Sequence, residues 1–158
     1  MNRSSHSNTP TGWREWVGLP GLGIEWIKAK VDTGARTSSL HAFDVVEFDR
    51  DGEDWVRFSV HPWQDSTADA VVHEARVHDR RAVRSSSGHS EHRVVIVTPV
   101  RLVGHDVDAE VTLTNRDEMG FRMLIGREAL RQGFVVDPAR SYVGGRAPVQ
   151  ARRRNRGR

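Results

Sequence analysis

The sequence is divided into short segments rich in β-branched and aromatic residues, each ended by a cluster of glycine, proline, aspartate or serine. Segments of this length and composition predict strands. The predicted strands are Trp13–Leu19, Ile24–Val31, Val45–Phe48, Trp55–Val60, Val71–His78, Arg93–Val97, Asp108–Leu113 and Phe121–Ile125. One stretch, Arg127–Gln132, has helical character and is ended by Gly133. Many short strands and one short helix predict a mainly β protein that folds as a small closed barrel.

The composition is that of a water-soluble domain, with 37% hydrophobic and 28% charged residues. The chain contains no cysteine, which excludes a disulfide framework and a thiolate nucleophile or metal ligand. No apolar run reaches the roughly 18 residues of a membrane helix, so no membrane partner is expected. The polar first ten residues do not resemble a secretory signal, and a cytoplasmic location is predicted.

The positive charge of the chain is concentrated at its C-terminal end. Five arginines between 152 and 158 account for more than the whole formal charge of +3, so the remainder is slightly acidic. We expect a disordered basic tail over 146–158, able to contact nucleic acid weakly. Residues 1–12 are predicted to be a disordered extension, which leaves 13–145 as the folded domain.

A catalytic site is indicated where the predicted strand Ile24–Val31 leads into Asp32-Thr33-Gly34. Asp32 offers a carboxylate for acid–base work, and the Thr33 hydroxyl can lock a turn by hydrogen bonding. Gly34 is expected to take a backbone conformation that other residues resist and to admit substrate closely. Ala35, which follows, leaves the approach unhindered.

One carboxylate cannot act as base and acid together, and the chain contains no second Asp-Thr/Ser-Gly sequence. Two copies of the Asp32 loop could share a single proton, one carboxylate activating water and the other polarising the carbonyl group. A two-fold symmetric dimer supplies such a pair. The nearest other candidate, Asp137, precedes a proline and is better interpreted as the end of a strand.

A second feature supports this interpretation. The apolar segment Phe121–Ile125 delivers Gly126 and Arg127, after which Glu-Ala-Leu opens the short helix. A strand that ends in glycine before a helix is a suitable element for the carboxylate loop to pack against.

The order of Asp-Thr-Gly-Ala, a central hairpin and Leu-Ile-Gly-Arg resembles the retropepsins, single-domain aspartic proteases that act as homodimers. Several stretches resemble more closely a bacterial family labelled "ATP-dependent zinc proteases", often found beside RimK-type glutamate ligases. They are AKVDTGARTSSLHA at 29–42, SSSGH at 85–89, TLTNR at 112–116 and FRMLIGR at 121–127. The resemblance implies a retropepsin-like β-barrel, catalytic Asp32, Thr33 and Gly34, and a substrate contacted by Ala35, Gly126 and Arg127.

The sequence departs from the retroviral pattern two positions after the motif glycine. An acidic residue there normally pairs with the arginine of Gly-Arg, but this chain has Arg36. Arg127 therefore needs another partner or contacts substrate. The substrate is expected to be a peptide, and an acidic one would suit Arg36, Arg80, Arg81 and Arg127 as carboxylate forks.

The sequence contains no recognisable binding motif for zinc or for ATP, the two cofactors that the family label names. His73 and His78 approach the His-Glu-x-x-His pattern but are five positions apart, about 140° around a helix, and their segment is predicted to be a strand. No phosphate-binding Gly-x-x-x-x-Gly-Lys sequence occurs. We therefore predict no metal and no cofactor.

Between His78 and Val97 the sequence predicts a hairpin of a basic strand, a Ser-rich turn and an apolar strand. It is either an ordinary exposed hairpin or a flap that closes over substrate, with Gly88 giving mobility. In the second case Ser85, Ser86 and His89 would contact the substrate backbone.

These observations favour an aspartic peptidase that hydrolyses peptide or peptide-like bonds, with glutamate-rich chains among its candidate substrates. Two alternatives stay open: a non-catalytic peptide-binding module with the same barrel, and the zinc-dependent protease of the family label.

Overall fold

The computed structural model describes residues 7–64, 66–84, 88, 90–115 and 120–155. Its strands are β1 (Thr9–Thr11), β2 (Arg14–Leu19), β3 (Ile24–Val31), β4 (Ser38–His41), β5 (Phe43–Arg50), β6 (Glu53–Val60), β7 (Val71–Arg76), β8 (Asp79–Arg84), β9 (Ser90–Leu102), β10 (His105–Thr114), β11 (Met123–Ile125) and β12 (Phe134–Val136). The helices are α1 (Arg127–Leu130) and α2 (Val149–Arg154), with a 3-10 turn at Pro20–Leu22. The protein is mainly β, as predicted. Among the helices of the described residues, none combines the length and hydrophobicity that a membrane-spanning segment requires.

The largest sheet has the strand order β10-β4-β11-β3-β2-β9-β8, and β9 also pairs with β10. All of its strands except β8 therefore lie on one closed hydrogen-bonded circuit. The circuit is not the regular closed barrel that the sequence predicts, because β2 meets β9 at a single residue pair, Gly18 with Arg101. A three-stranded sheet, β5-β6-β7, and the pair β1–β12 lie outside it.

The main core lies between the circuit and the three-stranded sheet. Its completely buried side chains come from both, and include Phe58 of β6, Ile27 of β3 and Ile96 of β9. Ile27 stands on a strand whose observed bounds, Ile24–Val31, equal the predicted ones. This strand is held on both sides, by β2 and by β11, and ends at the candidate site.

The chain beyond 145 is more ordered than its composition predicts. Ala147, just before α2, and Ala151, within it, are both buried and pack with Trp16 and Trp63 in a second core cluster. Asn155 is fully buried, and its side-chain oxygen accepts a hydrogen bond from the backbone N–H of Gln64 at 2.6 Å. The stretch 146–158, for which the composition predicts a disordered tail, thus contains a helix in its described part. In the sequence, these buried alanines are not noticeable among the many arginines of the segment.

The N-terminal boundary also differs from the prediction. Residues Thr9–Thr11 form β1, which pairs in parallel with β12. Three residues with one proline give no periodic signal, and the pairing depends on a partner more than a hundred residues away. The stretch 1–12, for which the sequence predicts a disordered extension, thus contains a strand in its described part.

A buried carboxylate joins the two ends of the domain. Glu15 of β2 is fully buried, and it accepts hydrogen bonds from three backbone N–H groups: Gly12 at 2.6 Å, Val143 at 2.9 Å and Gly144 at 3.0 Å. Each of its two oxygens faces a donor. An unpaired buried carboxylate would be costly, so these bonds fix the 143–144 segment against the start of the domain.

Replacement of Glu15 by glutamine tests this arrangement. The amide NH₂ group would have to face a backbone N–H, so we expect Glu15→Gln to lower the free energy of unfolding by about 3 kcal/mol. Urea denaturation measures the change. Glu25→Gln, at an exposed position of β3, is the matched control and should leave the stability unchanged. Equal stability of the two variants would contradict the role given to Glu15.

Candidate active site

Asp32 is the first residue after β3 and is half-buried. Its Oδ1 accepts a hydrogen bond from the backbone N–H of Gly34 at 2.8 Å, and its carbonyl oxygen accepts one from Ala35 at 3.3 Å. Thr33 and Gly34 are exposed at the tip of this turn. The turn leaves the second carboxylate oxygen of Asp32 available for other contacts at the surface of the loop.

The structure indicates a different role for Gly34 from the expected unusual backbone conformation. It is not among the glycines with positive φ, so its backbone conformation is open to other residues. A Cβ atom built on Gly34 would instead lie 3.1 Å from Oδ1 of Asp32. The missing side chain lets the backbone N–H approach the carboxylate.

The Asp32 loop is locked to the segment that follows β11. The N–H of Asp32 donates to the carbonyl of Ile125 at 2.9 Å, and the N–H of Arg127 donates to the carbonyl of Ala35 at 2.7 Å. The N–H of Gly126 donates to Oγ of Ser38 at 3.0 Å. The predicted packing of the glycine-ended strand against the carboxylate loop is confirmed by these bonds. Ser38 was not predicted, because its role depends on a segment 88 residues away.

No side chain fits at Gly126. A Cβ atom there would collide with the carbonyl group of Thr37 and would lie 2.9 Å from the N–H of Ser38. The backbone of Gly126 is extended, with φ of −93° and ψ of 175°, so steric contact and not backbone strain excludes other residues.

Arg127 finds a partner in the Asp32 loop itself. Its guanidinium donates to the carbonyl of Thr33 at 3.0 Å, which replaces the acidic partner of the retroviral pattern. Arg36 is 72% exposed and lies 4.0 Å from Glu128. Of the two, Arg36 retains a guanidinium that can turn toward a bound substrate.

The other two arginines that were expected to bind a substrate carboxylate, Arg80 and Arg81, are paired with carboxylates of the same chain. Arg80 contacts Glu47 at 2.7 Å and Asp54 at 3.1 Å. Arg81 contacts Glu110 at 2.7 Å. The hydrogen bond from Arg81 holds the pKa of Glu110 below the ordinary value of a glutamate. Arg80 and Arg81 therefore anchor the hairpin and lie outside the residues that line the cavity at Asp32.

The cavity at Asp32 has a volume of about 300 Å³ and is open to solvent. Its lining residues are Asp32, Ala35, Arg36, Thr37, Ser39, Arg93, Thr112 and Leu124. Asp32 is the only carboxylate among them. Two arginines, Arg36 and Arg93, give the cavity a positive charge.

Arg93 of β9 is a cavity residue that sequence reasoning missed. Its side chain is only 14% exposed, and its ion pair with the exposed Glu91 is long, 3.4 Å. The sequence signal was slight: a single cation at the start of the apolar run 94–97. A largely buried cation beside a candidate catalytic carboxylate could hold an anionic group of a ligand.

The predicted hairpin forms from β8 and β9, whose last pair is Arg84 with Ser90. Ser85, Ser86 and His89 lie outside the described residues. Gly88 is described and has a φ of +85°, as a tight turn requires. Assignment of the hairpin as a flap therefore stays a prediction.

The segment that resembles a zinc motif is a strand followed by a loop. His73 lies in β7 and contacts the ring of Phe58 edge-on, whereas His78 lies 3.1 Å from Glu110. The two histidines thus have different surroundings. Within the described part of the chain, no group of three or more His, Asp or Glu side chains is arranged to hold a metal ion.

Comparison with known proteins assigns the chain to a family. The family model described as "RimB-like: Retropepsin-like aspartic endopeptidase RimB" matches residues 10–147. The chain belongs to the RimB-like family. This result confirms the resemblance to the retropepsins. The matched region ends at residue 147, just before α2.

Curated relatives are longer proteins with another name. The chain is 50% identical over 131 residues to a "Probable alpha-L-glutamate ligase" of Shewanella halifaxensis. The aligned residues are 83% of this chain and 29% of that protein. A protein of the same name from Desulfotalea psychrophila is 51% identical over 128 residues, 81% of this chain and 28% of that protein. The RimB-like chain thus spans less than a third of the length of these relatives.

A solved structure shares the fold. The crystal structure of protein Lpg0085 of Legionella pneumophila, of unknown function (DUF785), superposes with a TM-score of 0.72 at 27% identity. The alignment covers 87% of this chain and 99% of that one.

The close approach at Gly126 gives a testable expectation. Gly126→Ala introduces a methyl group against the Thr37 carbonyl, so we expect a loss of at least about 3 kcal/mol in the free energy of unfolding. Gly52→Ala is the control: a Cβ atom there meets nothing within 4 Å, and φ is +81°, so the cost is about 1 kcal/mol. Chemical denaturation compares the stabilities of the two variants. A Gly126 variant as stable as the Gly52 variant would contradict the close contact between residue 126 and the Thr37 carbonyl.

Proposed function

We propose that this protein is an aspartic-type peptidase whose active site contains Asp32 from each of two identical chains. The observation that carries the proposal is the cavity at Asp32. It holds a half-exposed carboxylate on a loop fixed at both ends, and its lining residues include no second carboxylate. The family description names an aspartic endopeptidase, a chemistry that requires two carboxylates.

The second described candidate, Asp137, has a structural role. Its Oδ1 accepts a hydrogen bond from the N–H of Ala139 at 3.0 Å, and its own N–H donates to the carbonyl of Thr11. A symmetric dimer that juxtaposes two Asp32 loops is therefore the simplest source of the pair.

In such a pair, the ionised Asp32 carboxylate takes a proton from a water molecule. The water oxygen attacks the carbonyl carbon of the substrate amide, while the protonated carboxyl of the partner copy donates its proton to the carbonyl oxygen. Collapse of the tetrahedral intermediate breaks the C–N bond, and the leaving nitrogen takes a proton from the carboxyl that first accepted one. The carboxylate of the partner copy takes back a proton from a hydroxyl group of the intermediate, which releases the carboxylic acid product and restores the starting pair. The backbone N–H of Gly34 holds one carboxylate oxygen during these steps.

The positive charge of the cavity favours an acidic substrate. Arg93 and Arg36 lie beside the only carboxylate of the lining, and a glutamate side chain of the substrate could accept hydrogen bonds from either guanidinium. The longer relatives carry the name of a glutamate ligase. We therefore propose peptide or peptide-like bonds of glutamate-rich chains as the substrate class.

Two other functions remain to be distinguished by experiment. A peptide-binding module without catalysis would use the same cavity, and a zinc protease would need ligands that the described residues do not group together. The weak contact of the basic tail with nucleic acid and the cytoplasmic location stay predictions.

Asp32→Asn tests the catalytic proposal. The substitution removes the ionisable group at nearly constant shape, so we expect hydrolysis of a glutamate-rich peptide library to fall by at least about 10³-fold with the fold retained. A chelator should leave wild-type activity unchanged. Full activity of the variant would exclude the aspartic mechanism, and activity that a chelator abolishes and zinc restores would favour the zinc protease. Retained peptide binding by an inactive wild type would favour the binding module.

Mixing the two forms tests the two-chain site. With random assembly, an equimolar amount of the Asp32→Asn chain should lower the activity of a fixed amount of wild type to about half. Specific activity of the wild type should also rise with protein concentration until dimers saturate. A monomeric sample, verified by sedimentation, that turns over substrate at full rate would contradict the dimer.

Arg93→Gln tests the acidic substrate class. Loss of the guanidinium should lower kcat/KM for a glutamate-containing peptide by about 10- to 100-fold and leave that for its glutamine analogue nearly unchanged. Arg101→Gln is the matched control, because Arg101 lies on the same strand, is 58% exposed and pairs with Asp106. Equal losses for both peptides would show that Arg93 does not read the substrate charge.

A further inference from the structure

A second groove lies beside the cavity at Asp32. Its volume is about 520 Å³, and it runs between β5 on one side and β9 with the end of β10 on the other. Phe43, Asp44 and Val45 form part of the β5 wall, and His92, Val94 and Leu113 part of the opposite wall. None of the residues named for catalysis lines it.

The β5 wall presents a strand edge. In the described part of the chain, β5 pairs with β6 on one side and no strand pairs with its other side. The pairing with β6 is irregular between Phe43 and Val46, and Asp44 has a φ of +51°. Val45 and Val46 are exposed, by 42% and 47%. An unpaired edge with apolar side chains is a template for an added strand.

The groove is continuous with the candidate active site. Arg93 lines both the cavity at Asp32 and this groove. A chain that places one residue at Asp32 could therefore continue past Arg93 along the edge of β5.

The charges of the two regions are opposite. The cavity at Asp32 has two arginines, whereas the groove is lined by three carboxylates, Asp44, Glu47 and Glu91, together with Arg93 and His92. Glu47 is bound by Arg80, and Glu91 lies near Arg93. The groove therefore disfavours an acidic chain and suits an uncharged or basic one.

We propose that this groove binds the substrate polypeptide on one side of the scissile bond, as an extended segment of uncharged or basic residues added to the edge of β5. The inference rests on the proposed peptidase function and deepens it. The substrate is then not a free chain of glutamates. It is a polypeptide whose acidic part occupies the cavity at Asp32 and whose non-acidic part lies in the groove.

Binding to the inactive Asp32→Asn protein tests the groove separately from catalysis. The probes are fluorescein-labelled hexaglutamate and hexaglutamate extended, at either end, by Ser-Thr-Val-Lys-Val-Ser or by six further glutamates. Fluorescence anisotropy gives the Kd values. We expect the mixed extension at one end to tighten binding by at least about tenfold, as added strand pairing implies, and the all-glutamate extension to give no gain.

Val45→Trp, added to the Asp32→Asn chain, should fill the groove and abolish this gain. Val72→Trp is the matched control, because Val72 is a 63% exposed valine on β7, at the opposite edge of the same sheet. Methylation of backbone nitrogens at alternate positions of the extension should remove the gain without any change to the protein.

The proposal is overturned if neither mixed extension tightens binding, if the all-glutamate extension works as well, or if the gain survives Val45→Trp and every pattern of methylation. Its failure is distinguishable from that of the proposed function. Wild type that cleaves glutamate peptides without any effect of extension would refute the groove alone. Val45-dependent binding without cleavage by wild type would refute the peptidase alone.

Discussion

The candidate site depends on the contact between the Asp32 loop and residues 125–127. Backbone hydrogen bonds run in both directions across it, from Asp32 to Ile125 and from Arg127 to Ala35. A carboxylate used for acid–base chemistry must be held in place while solvent and substrate reach it. Because the bonds involve main-chain atoms, the position of Asp32 is insensitive to most surface side chains and sensitive to the size of residue 126.

Four arginines of the cavity and the hairpin divide into two pairs with different surroundings. Arg80 and Arg81 are bound by acidic residues of neighbouring strands, and they fasten the base of the hairpin to β5, β6 and β10. Arg36 and Arg93 keep weaker contacts and line the cavity. The sequence shows all four as cations, and only the three-dimensional structure separates the two that are paired with carboxylates from the two that line the cavity.

Sequence reasoning succeeded where the signal is local or the motif is long. Strand β3 and the loop after it were predicted because apolar residues lead directly into Asp-Thr-Gly. Of the zinc-like histidines, His73 was correctly assigned to a strand, whereas His78 lies two residues beyond its end. Sequence reasoning failed where a residue depends on a distant partner. Ser38, Arg93 and β1 have little signal of their own, and the ordered helix α2 was hidden by its arginines. The closure of the barrel was overestimated, since strand patterns do not reveal how many pairs join β2 to β9.

The pairing of β1 with β12 has a consequence for how the protein is made. The first and last strands of the described chain lie side by side in parallel, and the Asp32 loop likewise needs partners 88 to 94 residues later. Contacts so far apart in sequence form slowly, because long loops must close before any bond compensates for them. During synthesis the chain must therefore extend past Arg127 before the Asp32 loop acquires its hydrogen-bond partners, so the emerging polypeptide carries the motif without the contacts that position it. Any activity that depends on the position of Asp32 is therefore absent until most of the domain has been synthesised.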